Sequence, residues 1–399
     1  MKFAKEIENA SYDLPSDWRP YLIHYKLLKK AIRLVVAELR TRGLLDIEKG
    51  EGQLNFSYEF DGDVEDPQPC IKITVDEAAA RLIPDLIPTS STNTSVLKIK
   101  LVKDSEFFHL LLKGLSQASV LYSTEQKRLS GKVDALETQL AKAASPKKQK
   151  DMYIWRDIFK LYMNASVFET TRTIDHSIQS FERSKQQLQW FTKELERLNL
   201  ATKLGSKNSK EALKRFIQMN EELADFKRFH ALNHTAMTKI LKKHDKQSGL
   251  TARTEFPTFA KENVAIVENV LLALYSTITS KIISIVPQID SHNCPICFAI
   301  AWRPIRLECG HVFCVRCLIK AHRRKLFDCP VCRRKHAVGN ADATNLDRSL
   351  QNFFMMYFPR EIQEKRRENE KEQAMQDMEA ITGRAWTMYA GRESSCSIM

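Results

Sequence analysis

Residues 294–332 read CPICFAIAWRPIRLECGHVFCVRCLIKAHRRKLFDCPVC and hold seven of the nine cysteines of a 399-residue chain. With one histidine they follow the order C-x2-C-x11-C-x-H-x2-C-x2-C-x11-C-x2-C, at Cys294, Cys297, Cys309, His311, Cys314, Cys317, Cys329 and Cys332. The start of the chain, MKFAKEIENASYDL, has no apolar run, so a secretory signal is not expected. Disulfides then have no supporting context, and the cluster reads as metal ligation. Cys and His are zinc ligands, and eight of them make two four-coordinate sites. Each Cys-x2-Cys pair can aim two sulfurs at one ion. The thiols bind as thiolates, so metal uptake and folding are coupled. Cys70 and Cys396 stand apart from the cluster.

The phrases CPIC, ECGHVFCVRC and CPVCR resemble the RING finger family over about 294–333. A plant-homeodomain-type finger places its His later in the ligand order, and a double zinc ribbon lacks the central Cys-x-His-x2-Cys-x2-Cys. The resemblance implies a cross-brace: Cys294, Cys297, Cys314 and Cys317 on one zinc, and Cys309, His311, Cys329 and Cys332 on the other. It also implies ubiquitin transfer. The module would recruit a charged ubiquitin-conjugating enzyme and orient its thioester, with no covalent intermediate of its own, and orientation would supply the rate. By position, Ile296, Leu318 and Pro330 match the family's apolar docking patch. Arg333 matches its cationic linchpin between conjugating enzyme and ubiquitin. Many active members carry Trp four residues after the sixth Cys, where this chain has Ala321. Trp302 is expected to pack the module's own core.

Outward from the cluster the pattern is helical. Trp18, Tyr21, Leu22, Tyr25, Leu28, Ile32 and Val36 predict a helix over 16–42, and Gly43 stands where it would stop. Further helices are expected over 104–144, 147–200 and 209–246, the first closed by Ser145-Pro146. Residues 46–70 carry eight acids against one lysine and read as an acidic loop, and 71–102 mix short β-like runs with proline. Another apolar helix is expected over 258–288. Glu268, Asn269 and Lys281 make it a costly membrane span, so it reads as buried. The expected fold class is mostly α: an N-terminal long-helix bundle and a small C-terminal zinc module. The expected divisions are 1–250 (with an acidic loop at about 43–70), 251–289 as a connecting helix, 290–338 as the zinc module and 339–399 as a charged helical tail.

The net charge is +13, from 62 basic and 49 acidic side chains, which favours an anionic partner. In TKILKKHDK, Lys239, Lys242, Lys243 and Lys246 fall within roughly a 100° arc of a helix. Phe226, Phe229, Met237, Ile240 and Leu241 fall opposite. Near the start, Tyr25 and Lys29 are adjacent on a helix, and Lys26, Lys30 and Arg33 share that spacing. Stacked lysines repel, and a ligand with several phosphates relieves that cost. The stretches MKFAKEIE, WRPYLIHYKLLKKAI and HTAMTKILKKHDK resemble the SPX domain family. The resemblance implies a basic site for inositol pyrophosphates built from both ends of the domain. Lys2, Tyr25, Lys29, Lys239, Lys242, Lys243 and Lys246 match its phosphate-contacting set.

SPX followed by RING resembles a ligase family of fungi and plants linked to phosphate homeostasis. The expectation is a RING-type E3 ubiquitin ligase with two zinc ions, regulated by inositol pyrophosphate and acting with a conjugating enzyme, ubiquitin and a protein substrate. A non-catalytic SPX-zinc scaffold is the first alternative. A membrane phosphoinositide binder is another. A nucleic-acid binder ranks last, because the basic run His322–Lys325 has no interleaved aromatics. The last four residues, Cys396-Ser397-Ile398-Met399, fit a prenylation signal of the farnesyl type. That implies an intracellular, cytoplasmic protein with membrane association, although one lipid alone anchors marginally.

Overall fold

The computed structural model describes residues 2–42, 55–62, 67–75, 95–168, 178–263 and 270–382. The chain forms two compact units. The first comprises Met1–Ala143 and Asp157–Ile285, the second Ala144–Arg156 and Val286–Met399.

In chain order the elements are α1 (Lys2–Ser11), α2 (Tyr25–Thr41), β1 (Asn55–Gly62), β2 (Pro67–Val75), β3 (Ser95–Lys100) and α3 (Val102–Ala143). Next come α4 (Gln149–Ala165), α5 (Ile178–Arg197), α6 (Lys207–Ser248), α7 (Ala252–Asn263) and α8 (Val270–Lys281). The second unit continues with β4 (Pro304–Arg306), β5 (Val312–Cys314), α9 (Val315–Arg323), α10 (Arg348–Tyr357) and α11 (Pro359–Thr382).

In the first unit α3 and α6 have 42 residues each, and each is therefore about 63 Å long. Their apolar stripes close on α2 and α7. Ile32, Val35, Phe107, Phe108, Leu111, Ile240, Leu241, Phe256 and Ala260 form one buried cluster with Tyr58 and Ile71 of the sheet. Each large side chain so buried contributes about 1.5–3 kcal/mol. The start of α3 is capped from α2, because the Glu38 carboxylate accepts the amides of Val102 and Lys103 at 3.1 and 2.7 Å. An anion there complements both the orphan N–H groups and the helix dipole. Gly249 ends α6 with φ +76°, a left-handed position that suits glycine.

Four expectations need correction. The helix expected over 16–42 begins only at Tyr25; Arg19–Tyr21 is a single 3-10 turn. Pro20 is the cause, since inside a helix its ring would clash with the preceding turn. The acidic stretch at 43–70 contains β1 and the first residues of β2, which pair antiparallel from Asn55↔Thr74 to Gly62↔Pro67, and β3 pairs on the other edge of β2. Counting charge hid a period of two: Phe56, Tyr58 and Phe60 alternate with Ser57, Glu59 and Asp61. The single helix expected over 147–200 is α4 and α5, with Ser166 at φ +47° after the first. The helix expected over 258–288 stops at Lys281, before a 3-10 turn at Ile283–Ile285; its described parts are α7 and α8, both in the first unit, and 264–269 lie outside the described residues. Among the described residues no helix is long and apolar enough to cross a membrane.

Beneath the C-terminal half of α6 lies a buried polar chain. His244 Nε2 is 2.9 Å from Asp104 Oδ1, and the Tyr58 hydroxyl donates to Asp104 Oδ2 at 2.7 Å. The imidazole stacks on Phe107 at 4.8 Å. Burial opposes its charge, but the bonds to Asp104 and Asp245 outweigh that and hold its pKa above the ordinary 6.5. A raised histidine pKa stabilises the fold below the unfolded value, and the contribution fades as pH rises through the folded value. Wild type is therefore expected to exceed His244→Asn in stability by more at pH 6 than at pH 9. Urea unfolding at both values measures it, and an equal gap at both refutes it.

Candidate functional site

The second unit is organised by its cysteines. The two short strands β4 and β5 pair over three residues each, from Pro304↔Cys314 to Arg306↔Val312. Two groups of ligand atoms form, each with all its members within 4.8 Å of one another: Cys294, Cys297, Cys314 and Cys317, and Cys309, His311, Cys329 and Cys332. This is the cross-braced pairing. His311 offers Nδ1, at 3.4 Å from Cys309 Sγ and 3.8 Å from Cys329 Sγ. The donor chemistry, four thiolates in one group and three thiolates with an imidazole in the other, is compatible with two zinc ions. The amide of Cys314 points to Cys294 Sγ at 3.5 Å, an outer-shell bond that steadies a thiolate ligand. Lys365 of α11 is a cation that sequence reasoning missed. The charges of Cys297 and Cys314 act on its ammonium, and its pKa is raised because the Glu368 contact outweighs burial.

The ligands are also core. Cys294, Cys314, Cys317 and Cys329 pack with Ile305, Leu307 and Phe313 and with Phe354, Phe358 and Ile362 from α10 and α11. The segment expected as a tail therefore helps build the module. Arg156 secures that junction: its guanidinium donates to the carbonyls of Pro287 (3.0 Å) and Tyr357 (2.7 Å), pairs with Glu361 (3.1 Å) and stacks on Phe358.

Of the expected docking residues, Ile296 is 38% exposed, and Pro330 and Arg333 are also exposed. Arg333 sits at φ +60° immediately after the last ligand, its amide bonded to Cys329 O at 2.9 Å. Leu318 is a correction. At 6% exposure it belongs to the module's core and can only support the patch from beneath. Ala321 is buried as well. Trp302 is partly buried against the core, as expected. Phe298, beside the ligand Cys297, was not singled out from sequence, yet it is 79% exposed. Its signal was an aromatic residue in the short first zinc loop.

In the first unit α1, α2 and α6 bring the second constellation together. Lys239 Nζ lies 3.5 Å from the centre of the Phe3 ring, and Phe3 meets Tyr25 edge-on at 5.1 Å. Burial lowers the pKa of Lys243, and the charges of Lys29 and Arg33 lower it further. Burial alone raises that of Tyr25. Lys242 and Lys246 are exposed on the same helix. Lys2 lies in α1, and its side chain, like Cys396, falls outside the described residues. Among the described residues none of Lys29, Arg33, Lys239, Lys242, Lys243 and Lys246 has a carboxylate within 4.0 Å, whereas Lys26 pairs with Glu8 at 2.6 Å. A patch of cations short of counter-charges, drawn from distant parts of the chain, has the chemistry to attract an anion. Phe3 and Arg33 are additions that the family-matched set lacked.

Comparison with known proteins agrees with both halves. The SPX domain family matches residues 72–260, and the C3HC4-type zinc finger (RING finger) family matches 294–332. The chain is 30% identical to an uncharacterized RING finger protein of Schizosaccharomyces pombe, covering 93% of this chain and 96% of the relative. It is 29% identical to the transcriptional regulator of yeast form adherence 3 of Candida albicans, again over 93% and 96%. Over 70 residues, 18% of this chain and 8% of the relative, it is 32% identical to the mouse E3 ubiquitin-protein ligase UHRF2. No solved structure matches. With its lysine face on one unit and its cross-braced cysteines on the other, the chain belongs to the SPX-containing RING finger proteins of fungi.

Proposed function

We propose that the protein is a RING-type E3 ubiquitin ligase whose SPX domain binds inositol pyrophosphate and reports phosphate status. The observation that carries the ligase reading is the second unit's surface: Ile296, Pro330 and Arg333 exposed around a cross-braced pair of ligand clusters. Zinc, when bound, holds the two loops in place. The chain's own residues then do the work. Ile296 and Pro330 offer the conjugating enzyme an apolar seat, and the Arg333 guanidinium can bridge carbonyl groups of two partners at once. The metal-held thiolates take no acyl group. Rate comes from confining a flexible thioester in its reactive geometry.

An autoubiquitination assay with zinc-loaded protein and a panel of conjugating enzymes tests this. Wild type is expected to build chains, and Arg333→Ala is expected to slow them by at least about tenfold, the loss of one charge-assisted contact in the transition state. Equal rates would remove Arg333 from the mechanism. The scaffold reading is favoured by one observation, the small buried Ala321 where a docking Trp is common. Chains with none of the conjugating enzymes, from folded and metal-bound protein, would establish it. Farnesylation of Cys396, with cytoplasmic and membrane-associated residence, belongs to the same proposal. The mass of the C-terminal peptide from cells tests it.

A further inference from the structure

The second unit carries a groove that the ligase reading does not use. It runs between α9 and α11 and has a volume of about 560 Å3. Its floor is apolar, from Trp302, Val315 and Ile319, with Ile319 47% exposed. Its walls are cationic: Arg303, Arg316, Lys320, Arg323 and Arg366. On α9, Arg316, Ile319, Lys320 and Arg323 share one face, and Leu318 and Ala321 lie on the other, buried in the module.

The walls are short of acceptors. Arg316 is fixed to α11, donating to Asn369 O at 2.6 Å and lying 2.8 Å from Glu372. Lys320 shares the same Glu372 carboxylate. Arg366 is 3.7 Å from Glu370. Among the described residues Arg323 donates to the Gln376 amide oxygen at 3.5 Å, and neither it nor Arg303 has a carboxylate partner. Five cations thus face two carboxylates, Glu370 and Glu372.

We propose that this groove captures an acidic peptide segment of a partner protein, a carboxylate-rich stretch with one bulky apolar side chain. The carboxylates answer the unpaired guanidinium groups, and arginine's fork matches them in bidentate fashion. The apolar side chain covers Ile319 and Trp302, which a purely polar anion would leave exposed to water. The capture stands on this geometry alone. That the captured protein is the ubiquitination substrate rests on the ligase reading.

The test uses the full chain, loaded with zinc, and a short fluorescein-labelled peptide of Glu and Asp with one central Leu, followed by anisotropy. Binding is expected, and Arg303→Glu with Arg323→Glu is expected to weaken it about tenfold or more, since like charges then face one another. Changing the peptide's Leu to Gly, on unaltered protein, is expected to weaken it as well. Unchanged affinity in the folded, zinc-replete variant overturns the proposal. So does displacement of the peptide by an oligothymidylate of equal charge at equal concentration, which would make the groove a general polyanion surface. Running the same protein with a conjugating enzyme separates the two readings. Peptide binding without chains removes the ligase and leaves the groove. Chains without groove-dependent binding do the reverse.

Discussion

Chelating zinc from the metal-loaded protein is expected to unfold residues 294–338 and free α10 and α11, while the helices of the first unit keep their protection. Two three-residue strands and one nine-residue helix cannot hold a core by themselves. The buried positions of that core include four of the cluster cysteines. Without the ion those thiols become small, poorly packed side chains, and the cross-links between the two loops vanish. Structural zinc sites contribute on the order of 10 kcal/mol, which exceeds the net stability of a small domain. Cys314→Ala is expected to give the same outcome, because Cys314 is both a ligand and the end of β5. Hydrogen exchange read by mass spectrometry separates the units. Unchanged protection of 294–338 after complete metal removal would contradict the coupling.

Lys239→Ala combined with Lys243→Ala is expected to abolish the proposed polyphosphate binding with little change in the melting temperature of the free protein, the relief at Lys243 offsetting the lost Lys239 contact to Phe3. The sign follows from Lys243. Its pKa is lowered, so its charged form is less favourable in the folded chain than in the unfolded one. At neutral pH that charge therefore opposes folding, and removing it relieves Lys29 and Arg33. The loss appears only when ligand is present. Two charge-assisted contacts at about 1.5–3 kcal/mol each amount to roughly 100-fold or more in affinity. Titration calorimetry with an inositol pyrophosphate, paired with thermal unfolding of the free protein, reads both quantities. Affinity within about threefold of wild type, or a clear drop in melting temperature, would mean that these lysines hold the fold and do not bind the ligand.

Part of this was legible before any coordinates. Local chemistry announces itself locally. The spacing of seven cysteines and one histidine announced the two ligand clusters, and the four-residue period of Leu28, Ile32 and Val36 announced a helix that packs on the core. The polar arc of Lys239, Lys242, Lys243 and Lys246 followed from helix geometry alone. The misreadings share a cause as well. In 46–70 the acids were counted and the alternation of Phe56, Tyr58 and Phe60 was not. In 16–42 the apolar period outvoted Pro20.

What remained belonged to contacts between distant parts of the chain, which no local pattern encodes. Leu318 and Ile296 are both apolar and lie close to zinc ligands, yet only packing against Phe313 and Phe354 decides that one is core and the other surface. Phe3 and Tyr25 are separated from Lys239 by most of the first unit's sequence, and the three meet within a few ångströms because α1, α2 and α6 share a core. The same holds for Glu372, whose carboxylate reaches Arg316 and Lys320 and opens the groove beside α9. The sequence determined the metal chemistry, the helices and the sign of the lysine face, since each follows from residue type and spacing. Tertiary structure alone decided which apolar residues face water and which cations lack partners, since burial and pairing depend on neighbours supplied by chain closure.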